Sequence, residues 1–220
     1  MQIFTACHAW YCAQIATAAL LFKKTELALS YYEKILTRQP AHGLTLSRIA
    51  FLHAQTGHHA LAINGLERVL AINGEDADSW FNLGFLHQQT SDHAAAINAF
   101  ERCTQINERH DRAWYGWALS LIALGHTAEA LAPLQKNIQL QPMSPYGHMT
   151  LARTYFTLGE RDRCEQQMRA LMEFDPKNAA LIEDETGLTV GVDRWWHRSA
   201  TARTPVADSP NTGGPQPQHR

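Results

Sequence analysis

Cysteine is scarce in this 220-residue chain, and its four copies show no zinc or redox spacing. Cys7 and Cys12 stand five residues apart on one helix, too far around it to bridge. Cys103 and Cys164 fall at packed positions and behave as small buried apolar residues, as in a reducing compartment. The cytoplasm is therefore the expected location. Charge of one sign is also missing, with 19 basic residues against 21 acidic ones. Without a basic stripe, nonspecific nucleic-acid binding is excluded on charge grounds. Nor is there a phosphate loop, a nucleotide fingerprint, a nucleophile elbow or a metalloprotease helix. No catalytic residue, cofactor or metal ligand is assigned, and the chain is not expected to be an enzyme. Glu67, Glu101 and Glu129 sit on second helices and are expected on a solvated face.

What the chain does have is a period of 34 residues, repeated five times without insertion or deletion over 9–42, 43–76, 77–110, 111–144 and 145–178. Such a period marks a solenoid, because one unit cannot bury its own apolar face. The eighth column is small throughout: Ala16, Ala50, Gly84, Ala118, Ala152. So is the twentieth: Ala28, Ala62, Ala96, Ala130, Cys164. Small residues are required where two helix backbones approach closely. Large apolar residues occupy the seventh and twenty-fourth columns, among them Leu83, Trp117, Phe100 and Leu134, and suit the space between helices. Gly57, Gly125 and Gly159 punctuate each block midway, with Ser91 replacing glycine in the third. Pro40, Pro142 and Pro176 are expected to stop second helices. Each block thus predicts a helix of about 13 residues, a tight turn and a second helix of similar length.

The pattern Trp80, Leu83, Gly84, Ala96, Phe100 resembles the tetratricopeptide repeat, over all five blocks. The resemblance implies an all-α, right-handed solenoid of five helix-turn-helix repeats. The first block departs most, with Cys12, Ala19 and Lys23 where tryptophan, tyrosine and glycine usually stand. His53 and His87 replace the tyrosine of their blocks, while Tyr155 keeps it.

Around the solenoid at 9–178, residues 1–8 extend the first helix. Residues 179–198 are expected to cap the open end, beginning with a short helix at 179–186. The Pro, Gly, Ser and Thr content of 199–220 predicts a disordered tail. Residues 2–22 carry no formal charge and precede Lys23 and Lys24, a stretch long enough to span a bilayer. Most of it also lies in register as the first helix of block one, and the soluble helix is preferred. Inner-membrane association remains the alternative.

The resemblance further implies that first helices line a concave face through six columns of each block. Those columns hold Phe51, Phe81, Phe85, Tyr115 and Tyr146, together with Arg48, Asn82, Gln89, Arg112 and Arg153, against one acid, Asp78. Trp10, Phe156 and Gln88 belong to the same columns. Aromatic anchors with arginines have the composition of protein-recognition hot spots. The expected function is a protein-interaction adaptor, scaffold or assembly factor. Its expected guest is an apolar peptide or helix bearing acidic groups. Phe51, Phe85 and Phe156 could equally be packing residues between adjacent first helices. Alternatives are a membrane-tethered scaffold of a bacterial secretion, pilus or envelope system, or a regulatory module for a separately encoded enzyme. The family's clamp for chaperone tails is not expected, since of Ser47, Phe51, Asn82, Arg112 and Gly116 only Asn82 matches outright.

Three further features stand out. His58, His59, His93 and His126 mark the turns, where they are expected to line one edge and are too spread to hold zinc. Pro133 is expected to bend the second helix of block four, and together with Asn137 it reads as either tolerated drift, the commoner case, or an adapted outer face. Trp195 and Trp196 either cap the last helix or dock into a groove as an internal competitor.

Overall fold

The computed structural model describes residues 2–196, with side chains from residue 6 onward. Residues 199–220, expected to be a disordered tail, lie outside the described residues, as do 197 and 198 of the expected cap. Eleven helices and no strand occur among the described residues. They are α1 (Gln2–Leu21), α2 (Thr25–Arg38), α3 (Gly43–Gln55), α4 (His59–Ile72), α5 (Ala77–Gln89) and α6 (His93–Ile106). There follow α7 (Asp111–Ala123), α8 (Leu131–Leu140), α9 (Pro145–Thr157), α10 (Arg161–Met172) and α11 (Pro176–Thr186). Each helix packs against the next in sequence, and the buried apolar residues among those described gather in four clusters along the stack. No helix among the described residues is long and apolar enough to cross a membrane. Instead α1 packs against α2, burying Ala9, Cys12, Ala16 and Ala19 on one face. Its other face leaves Trp10, Tyr11 and Leu21 exposed.

The turn inside each repeat is set by one residue in the left-handed region. Gly57, Gly125 and Gly159 adopt φ of +78°, +81° and +77°. The amide of the next residue then reaches back five positions, as His58 does to His53 O at 2.8 Å and Glu160 to Tyr155 O at 2.9 Å. This double-bonded ending satisfies carbonyls that the helix would otherwise leave open. Lys23 and Ser91 hold the same position with φ of +56° and +61°, although each carries a Cβ. Lys24 N–H and Asp92 N–H make the corresponding bonds, to Ala19 O at 2.9 Å and His87 O at 2.8 Å. The backbone geometry is thus kept at a cost in side-chain crowding.

Helix starts are capped in two ways. Asp76, Asp92 and Asp175 accept amides three residues on, from Ser79, Ala95 and Asn178. His42 and His110 do the same work through Nδ1, accepting from Thr45 N at 3.3 Å and Ala113 N at 3.2 Å. Two tryptophans tie loops to helices: Trp80 Nε1 donates to Gly74 O at 2.8 Å and Trp114 Nε1 to Glu108 O at 2.9 Å. Of the cysteines, Cys103 and Cys164 are fully buried. Burial, assisted by the nearby Asp78 charge, pushes the Cys103 thiol up to about 12.

Four expectations are corrected by the packing. Pro133 does not bend a full-length helix. Residues 127–130 form turns instead, and α8 opens at Leu131 with ten residues where α4 and α6 have 14. Pro133 thereby sits in the first turn, where its missing amide leaves no bond unmade. Glu129 lies in the preceding turn, bonded to His126 Nδ1 at 2.8 Å, and not on a second helix. Asn137 is not on an outer face: it is buried and donates from Nδ2 to Asp111 O at 2.9 Å. Pro40 and Pro142 do follow helix ends, but Pro176 opens α11, where a fixed φ favours the first helical turn.

The far end of the stack is covered by α11 and the segment that follows it. Leu188, Val190 and Val192 pack against the last core cluster. The buried Glu183 carboxylate accepts from the amides of Val190, Gly191 and Val192 at 2.7, 3.0 and 3.4 Å, and from Arg194 at 3.3 Å. Trp195 remains exposed beside the half-buried Trp196.

Candidate binding groove

Two open clefts flank α3 on the first-helix side. One, of about 410 Å³, lies between α3 and α5 and is lined by Ser47, Phe51, His59, Asn82, Phe85 and Gln89 among others. The second, of about 600 Å³, lies between α1 and α3 and is lined by Thr17, Leu20, Lys23, Tyr32, Arg48 and Phe51 among others. Ser47, Phe51 and Gln55 belong to both. These three are four residues apart, hence stacked on one helix face, and form the ridge between the clefts. Phe51 is 61% exposed and Phe85 49% exposed, large values for aromatic rings of a helical core. Their surface is not consumed by packing.

The electrostatics of the two clefts are one-sided. Lys23 and Arg48 line the α1–α3 cleft, and no carboxylate lines either cleft. Arg48 stands 5.8 Å over the buried Tyr32 ring, which steadies its stem while leaving its donors available. The α3–α5 cleft supplies neutral donors and acceptors from Asn82, Gln89 and Gln55.

In the other half of the solenoid, polar ties cross from helix to helix. Gln88 Nε2 donates to Gly116 O at 2.9 Å and Ser120 Oγ at 2.8 Å, joining α5 to α7. Tyr115 and Thr150 hydroxyls meet at 3.1 Å between α7 and α9. Arg153 holds Glu185 of α11 through two bonds of 2.7 and 2.8 Å. That pairing keeps the Glu185 carboxyl below the usual carboxylate range.

The residues expected in one groove therefore divide into groups. Arg48, Phe51, Asn82, Phe85 and Gln89 come together at the clefts. Asp78, Phe81 and Arg112 gather elsewhere: the guanidinium lies 5.0 Å over the Phe81 ring, which packs on His110 at 4.6 Å and Phe100 at 5.9 Å. Asp78 Oδ1 lies 3.6 Å from His110 Nε2. Tyr115 and Arg153 serve the internal ties, as does Gln88. Tyr146 is exposed at the start of α9, Trp10 is exposed on α1, and Phe156 is half-buried against the last core cluster. Lys23 and His59 are cleft residues that the concave columns do not contain, since one belongs to a turn and the other to a second helix. Lys23 could have been noticed as the lysine displacing a turn glycine.

Residues 55–137 match the family model described as anaphase-promoting complex, cyclosome, subunit 3. No curated protein matches the chain by sequence. Among solved structures, one of MamA superposes with a TM-score of 0.72 at 20% identity, covering 83% of this chain and 97% of that one. MamA 41-end from Desulfovibrio magneticus RS-1 gives 0.69 at 17% identity, with 76% and 95% covered. YrrB, described as a TPR protein with an unusual peptide-binding site, gives 0.69 at 17% identity, with 79% and 90% covered. The chain has the fold of a tetratricopeptide-repeat solenoid. At these identities the likeness to solved structures is one of fold. The family match runs from the end of α3 through most of α8 and so spans the α3–α5 cleft only in part.

Proposed function

We propose that this tetratricopeptide-repeat solenoid is a protein-interaction adaptor whose guest lies across α3, filling the two clefts on either side. The reading is supported above all by the exposure of Phe51 and Phe85 on a ridge and wall of continuous open space. An aromatic ring left in water is available to bury 150–250 Å² or so when a partner arrives. The guest is an apolar segment carrying acidic residues. Its apolar side chains enter the α3–α5 cleft, and its carboxylates meet Lys23 and Arg48 at the α1 side. Asn82 and Gln89 satisfy its backbone amides and carbonyls. The peptide-binding site named for YrrB belongs to that protein, but a peptide is also the ligand this geometry suits.

The test is capture of a purified partner by full-length protein and by the Phe51→Ala, Phe85→Ala double variant. Truncating two exposed rings leaves helicity unchanged and is expected to weaken capture at least about a hundredfold, as hot-spot aromatics do. Arg153→Lys disturbs only the α9–α11 tie and is expected to leave capture intact. Undiminished capture by the double variant would move the site away from α3.

A further inference from the structure

A third cleft, of opposite charge character, opens on the side of the second helices. It holds about 400 Å³ between α6 and α8, beside the start of α7, and is lined by Glu101, Glu108, Trp114, Trp117 and Lys136 among others. It shares no residue with the clefts flanking α3. Its indoles are stacked, with ring centroids 5.4 Å apart and planes 19° from parallel. Trp114 is fixed through its bond to Glu108 O. Trp117 occupies the column that holds Ile15, Ile49, Leu83 and Leu151 in the other repeats, and its indole both packs against the core and lines the cleft. The late start of α8 sets Ala132 and Lys136 at the rim of this cleft.

Both carboxylates remain uncommitted to a cation. Among the described residues neither Glu101 nor Glu108 is salt-bridged, and Glu101 accepts only the Gln105 amide, at 3.3 Å. The neighbouring Arg102 is occupied by Gln105 at 2.8 Å and Glu75 at 3.5 Å. Lys136 is the single cation of the lining, which leaves it net negative.

We infer that this cleft receives an arginine side chain from a second protein. Indole faces attract cations more strongly than other aromatic rings. A guanidinium, being planar, can lie on an indole and still direct its N–H groups to carboxylates in the ring plane. An ammonium, a strongly hydrated point charge, gains less from such a surface. A phosphate backbone would face net negative charge and be repelled. Taken with the adaptor reading, the protein would then hold an acidic guest across α3 and a basic one between α6 and α8.

An NMR titration of the full-length protein tests this, following the indole N–H resonances of Trp114 and Trp117. The probe is an amidated Gly-Arg-Gly-Arg peptide, and the control replaces each arginine with neutral citrulline. The arginine peptide should shift both resonances saturably, and citrulline should weaken the response by about tenfold or more. Glu101→Gln with Glu108→Gln should weaken it similarly, and Trp117→Leu should abolish it while circular dichroism shows helicity retained, since Trp117 also packs against the core. Phe51→Ala should have no effect on it. No response, an equal response to citrulline, or persistence in the Glu variants would each overturn the assignment.

Discussion

The ring of Phe100 occupies the space a side chain on Gly116 would need: a Cβ built there would stand 2.6 Å from Phe100 Cζ. Gly84 faces the same ring from α5, with its would-be Cβ 2.8 Å from Cδ1. Phe100 is therefore clamped between two first helices, and it is among the largest fully buried side chains of the protein.

Two opposing effects meet at Gly116→Ala. Alanine in a helix gains up to about 1 kcal/mol over glycine. Overpacking a closed site costs about 1–3 kcal/mol. The ring has backbone on both sides and little room to retreat, so the variant should lose about 1 kcal/mol or more. Gly84→Leu should lose a few kcal/mol by the same mechanism. Thermal melts would show it, and Phe100→Leu combined with Gly116→Ala should recover part of the loss. An unchanged melting temperature in Gly116→Ala would mean that the seam is softer than its geometry implies.

At Lys23 and Ser91 the sign reverses. Both hold a left-handed turn with a side chain attached, a conformation that costs about 1–2 kcal/mol outside glycine. Ser91→Gly should therefore stabilise the fold by about 1 kcal/mol and change nothing else. Lys23→Gly should stabilise it comparably while weakening an acidic guest, because the lysine lines the α1–α3 cleft. Melting temperature and affinity, measured on the same pair of variants, separate the two effects.

Acid should loosen the C-terminal end in two stages. Burial holds the His148 imidazole below its usual value, although its bond to Pro142 O at 2.9 Å works in the opposite direction. The ring is thus kept neutral, accepting from Gln167 at Nδ1. Burial alone would raise Glu183, but three backbone amides and Arg194 outweigh it and hold the carboxyl below its usual range. Both folded values are depressed, so each contribution is complete above the group's ordinary value and is lost as pH falls through the lowered one. The α9–α10 contact should weaken below about pH 6.5, and the 187–194 segment below about pH 4.3. Hydrogen exchange of the Val190, Gly191 and Val192 amides reports the second stage. Glu183→Gln should speed that exchange about tenfold at neutral pH, since charge-assisted bonds are lost. Exchange indifferent to both pH and the substitution would show that the valines hold the segment alone.

Much of the fold was legible because a solenoid repeats its local requirements. Small residues where helices cross, such as Ala50 and Gly84, and a turn residue at a fixed interval announce themselves by period. Phe51 and Phe85 were legible as candidates on the same grounds. Their freedom was not, because Phe81 occupies an equally inward column yet lies under Arg112 and against His110. Whether an aromatic faces water depends on what the next repeat brings to it, and that neighbour is distant in sequence.

The order of residues by itself determined the helical pairs, their cadence and the small-against-large seam, since these follow from local turn geometry and side-chain volume. Only the tertiary structure decided that clefts open on both sides of α3 while polar ties cross between the helices from α5 to α11. Gln88, Tyr115 and Arg153 find partners 28 to 35 residues away, and spacing along one helix carries no record of which polar groups will meet across two.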